Sequence, residues 1–183
     1  VMGLAFKVKA GEFFQNNPYV LPYMINHVCK QALGVGDCKY LIDTYCGSGL
    51  FALSSAGSFQ SVYGVEVSEL AIASAKENAQ INNITNTQFL QGQSTAIFQT
   101  VSHLDASQTV VVIDPPRKGC DEEFLTQLFA FRPKRLVYVS CDPATQARDA
   151  KAIVANGYKI IDITPFDLFP QTRHIENVIT FTL

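Results

Sequence analysis

Cys141 stands in Tyr138-Val139-Ser140-Cys141-Asp142-Pro143, where an apolar run gives way to a proline suited to open a helix. A helix N-terminus carries partial positive charge, which favours a thiolate, and the thiolate is the reactive form of cysteine. Read in isolation, a cysteine is more often a small buried hydrophobe. Cys141 is therefore a candidate nucleophile that needs partners. Further along, His174-Ile175-Glu176 alternates polar and apolar residues at a strand start, so His174 and Glu176 share one side. A carboxylate at Glu176 suits a general base. The bland reading of the same pair is a solvated carboxylate and a locally bonded histidine.

A second set of residues has the spacing of a nucleotide-type site. Gly47-Ser48-Gly49-Leu50-Phe51-Ala52 fits a GxGxxG/A turn between a strand and a helix. Gly47 and Gly49 let the backbone turn tightly and approach a ligand, although tight turns also take glycine for structural reasons alone. Glu66 lies about twenty residues downstream at the next strand end, where a carboxylate can accept from both ribose hydroxyls. The pattern serves dinucleotides and S-adenosylmethionine alike. Asp43 and Cys46 precede the turn, and Ile113-Asp114-Pro115-Pro116 ends a later strand; both features favour S-adenosylmethionine. An Asp-Pro-Pro loop stiffens the chain and holds Asp114 near both cofactor and target. A methyltransferase acting on amino groups of adenine or guanine uses a similar loop. It needs no cysteine, however, and favours an aromatic residue where Arg117 stands. The glycine turn is also compatible with a nicotinamide-dependent oxidoreductase, and the chain as a whole with a non-catalytic RNA-binding module.

The elements that must position these residues alternate. Strands are predicted at 40–45, 61–66, 87–91, 109–114 and 135–141, with 40–45 and 109–114 as apolar runs. Helices are predicted after Asn17-Pro18, from Leu50, from a Ser68 cap to about Asn82, over 121–130 and from Pro143 to about Ala155. Strands alternating with helices predict a parallel α/β sheet, whose ligands bind at the carboxyl ends of the strands. Asp43, Cys46, Glu66, Asp114 and Cys141 all fall at or just past such ends. Two further strands, at 158–163 and 175–181, have no helix between them and are expected to pair antiparallel at the sheet edge.

Composition bounds the class. The 183 residues are 48% hydrophobic, enough for one compact domain with a sizeable core. No apolar run reaches about eighteen residues, which excludes a membrane-spanning helix. Five cysteines at irregular spacing do not form a disulfide framework, and no CxxC pair suggests a metal. A reducing, intracellular compartment is expected. The net charge of −2 lacks the basic excess of a domain that holds RNA unaided.

Taken together, GEFFQNN, DTYCGSGLF, GVEVSE, IDPPRKGCD, YVSCDPATQARD and FPQTRHIEN, in this order, resemble the RNA 5-methyluridine methyltransferases. DPPRKGCDEEFL is most similar to the fungal tRNA (uracil-5-)-methyltransferases. The resemblance spans nearly the whole chain. It implies a class I S-adenosylmethionine-dependent methyltransferase fold, a mostly parallel sheet with an antiparallel last strand. It further implies a cofactor site lined by Gln15, Tyr45, Glu66 and Asp114, Cys141 as nucleophile and Glu176 as base. The substrate it implies is a uridine in RNA, a tRNA T-loop uridine before a ribosomal one. It makes 1–183 a single catalytic domain, with preceding RNA-binding segments outside this chain supplying most of the RNA grip. The sequence departs from the pattern at Leu50, where bacterial relatives often carry Asn, and at Asp142, where many carry Asn. Asp142 adds a carboxylate beside the thiol, which can oppose its ionisation. Gln93 takes a place often acidic, near the adenine. Phe166, Phe169 and Arg173 are candidates for the entrance to the base pocket, with core packing equally open for the two phenylalanines.

Overall fold

The computed structural model describes every residue except Ala10, Glu12, Phe13, Asn16, Val35 and Asp37. GEFFQNN therefore falls partly outside the described residues. Seven strands form one sheet in the order β3-β2-β1-β4-β5-β7-β6. In chain order they are β1 (Tyr40–Asp43), β2 (Ser61–Glu66), β3 (Thr87–Gln91), β4 (Thr109–Ile113), β5 (Arg135–Ser140), β6 (Lys159–Phe166) and β7 (Glu176–Thr182). The first five run parallel. The sixth and seventh are antiparallel neighbours, as expected, but the pair is not simply appended: β7 inserts between β5 and β6.

Helices α1 (Leu21–Leu33), α2 (Leu50–Ser55) and α3 (Glu69–Ile81) cover one face of the sheet. The other face carries α4 (Ala96–Thr100), α5 (Glu122–Phe131) and α6 (Pro143–Ala155). Strand β4 shows why: Val110 and Val112 point to the first layer, Val111 and Ile113 to the second, and all four are buried. A strand covered on both faces reads as an unbroken apolar run, which is what 109–113 is. In α1, Leu21, Met24, Ile25, Val28 and Ala32 recur at helical spacing and are buried. Ser68 caps α3 by accepting from the Ala71 N–H at 3.2 Å. Among the described residues no helix is long and apolar enough to cross a membrane.

Side-chain amides tie the opening segment to the body. Asn78, fully buried in α3, accepts from the Lys7 N–H at 2.8 Å and donates to the carbonyls of Lys7 and Ser48 at 3.1 and 3.0 Å. One amide thus joins the opening segment to the glycine turn. In the middle of β2, Gly64 lets Phe89 and Cys46 close over the strand: a Cβ there would meet the Phe89 ring at 2.7 Å and the Cys46 sulfur at 2.9 Å. Gly64→Ala is accordingly expected to destabilise the fold by about 1–3 kcal/mol, read from the urea midpoint at unchanged slope.

Candidate active site

Strand ends β1, β2, β4 and β5 open into one cleft of about 870 Å³, which the start of β7 also borders. The turn after β1 builds its floor. Gly47 takes φ +51° and has nothing within 4 Å of where a Cβ would stand, so its backbone faces open space. Gly49, at φ +91°, faces inward instead: a Cβ would meet Leu53 at 3.0 Å and Phe89 at 3.3 Å. Gly49 is thus absent from the cleft wall, unlike Gly47, and its part is to let α2 start. Leu50, buried as the first residue of α2, also reaches the wall.

Glu66 stands at the end of β2 with both carboxylate oxygens engaged. One accepts from the Gly47 N–H at 3.2 Å, the other from the Ser68 N–H at 3.0 Å. Each oxygen keeps a second lone pair, so the group can still accept from ligand hydroxyls. The arrangement also places a carboxylate on the glycine turn and occupies one of its N–H groups. A diphosphate there would meet like charge. A sulfonium nucleoside has ribose hydroxyls to donate and carries no phosphate. Gln15 borders the same cleft, and its buried Oε1 has no hydrogen-bond partner among the described residues. An orphaned buried acceptor is costly unless a ligand donor satisfies it. Tyr45 lines the cleft and accepts from the Ser94 hydroxyl at 3.1 Å. Gln93 borders it too.

The reactive half of the cleft follows from strand register. In the antiparallel β5–β7 ladder, Arg135 lies opposite Thr182 and Ser140 opposite Asn177. One further step of that register sets Cys141 opposite Glu176. Both border the cleft with Asp114, which follows β4. Burial pushes the Glu176 carboxyl up to about 7, and the Arg117 guanidinium partly offsets this. Burial is also the main cause that raises the Cys141 thiol, with the charges of Glu176 and Asp114 adding to it. Arg117 opposes them by hydrogen bond and by charge. Asp114 is held well above the usual carboxylate range by burial first, then by Glu176 and Asp43.

Asp142 settles into a different role from the one its position suggests. Its carboxylate caps α6, accepting from the N–H groups of Ala144 and Thr145 at 3.0 and 3.1 Å. It is not among the groups that raise the Cys141 thiol. Its charge goes to the helix N-terminus, where a carboxylate is favourable.

Seven of the eight candidate site residues therefore meet in one cleft, Gly49 being the exception. Asp43 also turns away: it is buried beneath the turn, where it accepts from the Ala52 N–H at 3.0 Å. Phe166 and Phe169 pack against the α1-side core and do not border the cleft, because β6 and the following turn lie against that layer. Arg173 is exposed, and His174 meets Phe169 edge-on; neither borders the cleft. Phe14, Phe51, Arg117 and Lys118 supply apolar and cationic walls instead. Arg117 is the cleft residue acting on the Cys141 thiol that sequence reasoning passed over. The signal was a cation just after Asp-Pro-Pro in a chain whose candidate nucleophile is a thiol. None of the five cysteines forms a disulfide with another, and Cys38, Cys46 and Cys120 are buried.

A family model described as tRNA (Uracil-5-)-methyltransferase matches residues 2–182. A tRNA (uracil(54)-C(5))-methyltransferase of Schizosaccharomyces pombe is 43% identical over 98% of this chain and 36% of its own length. The Saccharomyces cerevisiae protein of the same description is 41% identical over 97% of this chain and 29% of its own. The chain thus spans about a third of the length of these relatives. Among solved structures, the Pyrococcus abyssi tRNA (uracil-54, C5)-methyltransferase in complex with S-adenosyl-L-homocysteine superposes with a TM-score of 0.81 at 30% identity. That match covers 97% of this chain and 42% of that one. Trm5b of the same organism, at 16% identity and a TM-score of 0.73, shares the fold.

Proposed function

Because the chain belongs to the tRNA (uracil-5-)-methyltransferase family, we propose that it is the catalytic domain of an enzyme that methylates carbon 5 of a uridine in tRNA. Position 54 is the target named for the fungal relatives and the one we assign here. The observation that carries the reading is the β5–β7 register, which brings a thiol and a carboxyl into one cleft with a glycine turn and Glu66. Cys141 is the nucleophile and Glu176 the base. Gln15, Tyr45, Gly47, Glu66 and Asp114 would hold S-adenosylmethionine, which supplies an electrophilic methyl group when bound.

Carbon 5 of uracil is a weak nucleophile. The Cys141 thiolate, favoured by Arg117, adds to carbon 6; a carbon–sulfur bond forms and the electrons of the 5,6 double bond pass to the carbonyl oxygen as an enolate. Carbon 5 then has the electron density to accept the methyl group. The proton left on carbon 5 goes to the Glu176 carboxylate. The 5,6 double bond reforms as the carbon–sulfur bond breaks, and Cys141 is regenerated. The target base must leave its stack to enter the cleft. The net charge of −2 supports an RNA grip that rests mainly on further segments of a longer protein. Five cysteines without a disulfide among them suit a reducing intracellular compartment.

Ligand choice tests the cofactor half. S-adenosylhomocysteine at about a hundred times its Kd is expected to raise the Tm by roughly 5–10 °C. NAD is expected to leave it unchanged. Stabilisation by NAD and not by S-adenosylhomocysteine would overturn the assignment.

A further inference from the structure

Arg117, in the loop that follows Asp114-Pro115-Pro116, borders the same cleft as Cys141 and acts on its thiol by hydrogen bond and charge. A loop holds a cation in place only if something holds the loop. Three side chains on the first two turns of α6 do so, and between them they grip Arg117, Lys118 and Cys120. The Thr145 hydroxyl donates to the Arg117 carbonyl at 3.0 Å. The Arg148 guanidinium donates to the carbonyls of Lys118 and Cys120 at 3.0 and 3.3 Å. The Asp149 carboxylate accepts from the Cys120 N–H at 2.8 Å. Between them Gly119, at φ +77°, leaves no room for a side chain: a Cβ would lie 2.5 Å from Asp149 and 2.6 Å from Arg148.

Asp149 is the hub of this arrangement. Only 2% of its surface is exposed, and it accepts from the Tyr138 hydroxyl at 2.8 Å and from Arg148 at 2.7 and 2.9 Å, besides Cys120. A buried carboxylate is tolerated when its lone pairs are filled this completely. Tyr138 belongs to β5, and Cys141 lies between β5 and α6. The element that delivers the thiol is therefore also the element that grips the loop delivering the cation.

We propose that Asp149, with Arg148 and Thr145, is a positioning unit that locks the 117–120 loop onto α6 and so holds the Arg117 guanidinium against Cys141. The proposal rests on Cys141 as the nucleophile for its meaning in catalysis, but not for its test. Among the described residues, the charged groups that act on the thiol are Glu176 from β7, Asp114 after β4 and Arg117 from the loop, with Lys118 also bordering the cleft. Loosening the loop withdraws the Arg117 cation and leaves the two carboxylates. The thiolate form then becomes rarer at neutral pH.

The test reads Cys141 alkylation by iodoacetamide against pH, resolved from the other cysteines by peptide mass spectrometry, with no RNA or methyl donor present. Asp149→Asn is expected to move the midpoint up by about one pH unit, slowing alkylation near neutrality about tenfold. Arg117→Ala is expected to do the same, and the double variant to go no further, because both remove one interaction. Arg148→Ala changes a side chain that is 57% exposed and carries the test should Asp149→Asn fail to fold. A folded Asp149→Asn protein with the parent profile overturns the proposal. So does additivity of the two variants. Faster alkylation of buried Cys38 and Cys120 at an unchanged Cys141 midpoint also overturns it, since that is general loosening. Methylation by a Cys141→Ala protein would sink the functional reading and leave these alkylation results standing.

Discussion

Cys141→Ala is expected to abolish methylation, by more than about 10⁴-fold in kcat, while the protein stays folded and binds S-adenosylhomocysteine as before. The magnitude follows from the chemistry. Without a carbon–sulfur bond at carbon 6, carbon 5 never gains enolate character, and no other cleft residue can replace the thiol. Glu66 and Gln15 are remote in role: they engage the turn and the cofactor half, not the sulfur. Cys46 also borders the cleft but sits buried beside the turn, its thiol pushed well up by burial and by the charges of Asp43 and Glu66. It is no substitute. The measurement is tritium transfer from labelled S-adenosylmethionine into tRNA by the full-length protein, beside a binding isotherm for S-adenosylhomocysteine. Turnover within tenfold of the parent would remove Cys141 from the mechanism.

Glu176→Gln is expected to stop the cycle one step later. Attack by Cys141 and methylation of carbon 5 proceed, but the proton on carbon 5 has no carboxylate to receive it. The enzyme should then accumulate as a covalent adduct with methylated RNA, visible as a shifted band that survives denaturant. Rapid turnover with no adduct would assign the base elsewhere. The parent enzyme carries a matching pH signature. Glu176 must be ionised to act, and its carboxyl sits near 7, so the proton-removal step should quicken as pH rises through about 7. Stability moves the other way. The folded state keeps the Glu176 proton up to about 7, whereas an unfolded glutamic acid loses it near the ordinary 4.5. Between these values the unfolded state binds fewer protons, so folding stability falls as pH rises across the window. Glu176→Gln escapes that loss. Its advantage over the parent should be greatest above about 7, up to roughly 3 kcal/mol, and vanish below about 4.5.

Much of this was legible in the sequence because local and global signals agreed. Strands 61–66 and 87–91 coincide with those observed, since the alternation through Val62, Gly64 and Glu66 and the short run 87–91 are local signals. The Ser68 cap and the Pro143 start are equally local. Three features were not legible, for physical reasons. Helix α4, Ala96–Thr100, is too short to show a helical repeat within 92–108. The place of β7 inside the sheet depends on which strand pairs with β5, and pairing is a property of two distant segments. Arg117 and Asp149 each look like solvated charges when read along the chain. Only the fold brings Arg117 to Cys141 and surrounds Asp149 with donors.

Strand β7 comes last in chain order yet lies in the interior of the sheet, between β5 and β6. During synthesis, Cys141 leaves the ribosome well before Glu176. Until 176–182 emerge, β5 has an open edge and the proposed nucleophile lacks its proposed base. The parallel core can collapse early, as nascent domains tend to build from their N-terminal side. On the proposed assignment, chemical competence arrives only when β7 has taken its place between β5 and β6. A chain stalled or clipped short of that point would carry a cofactor-sized cleft and a thiol, but no means of completing a turnover.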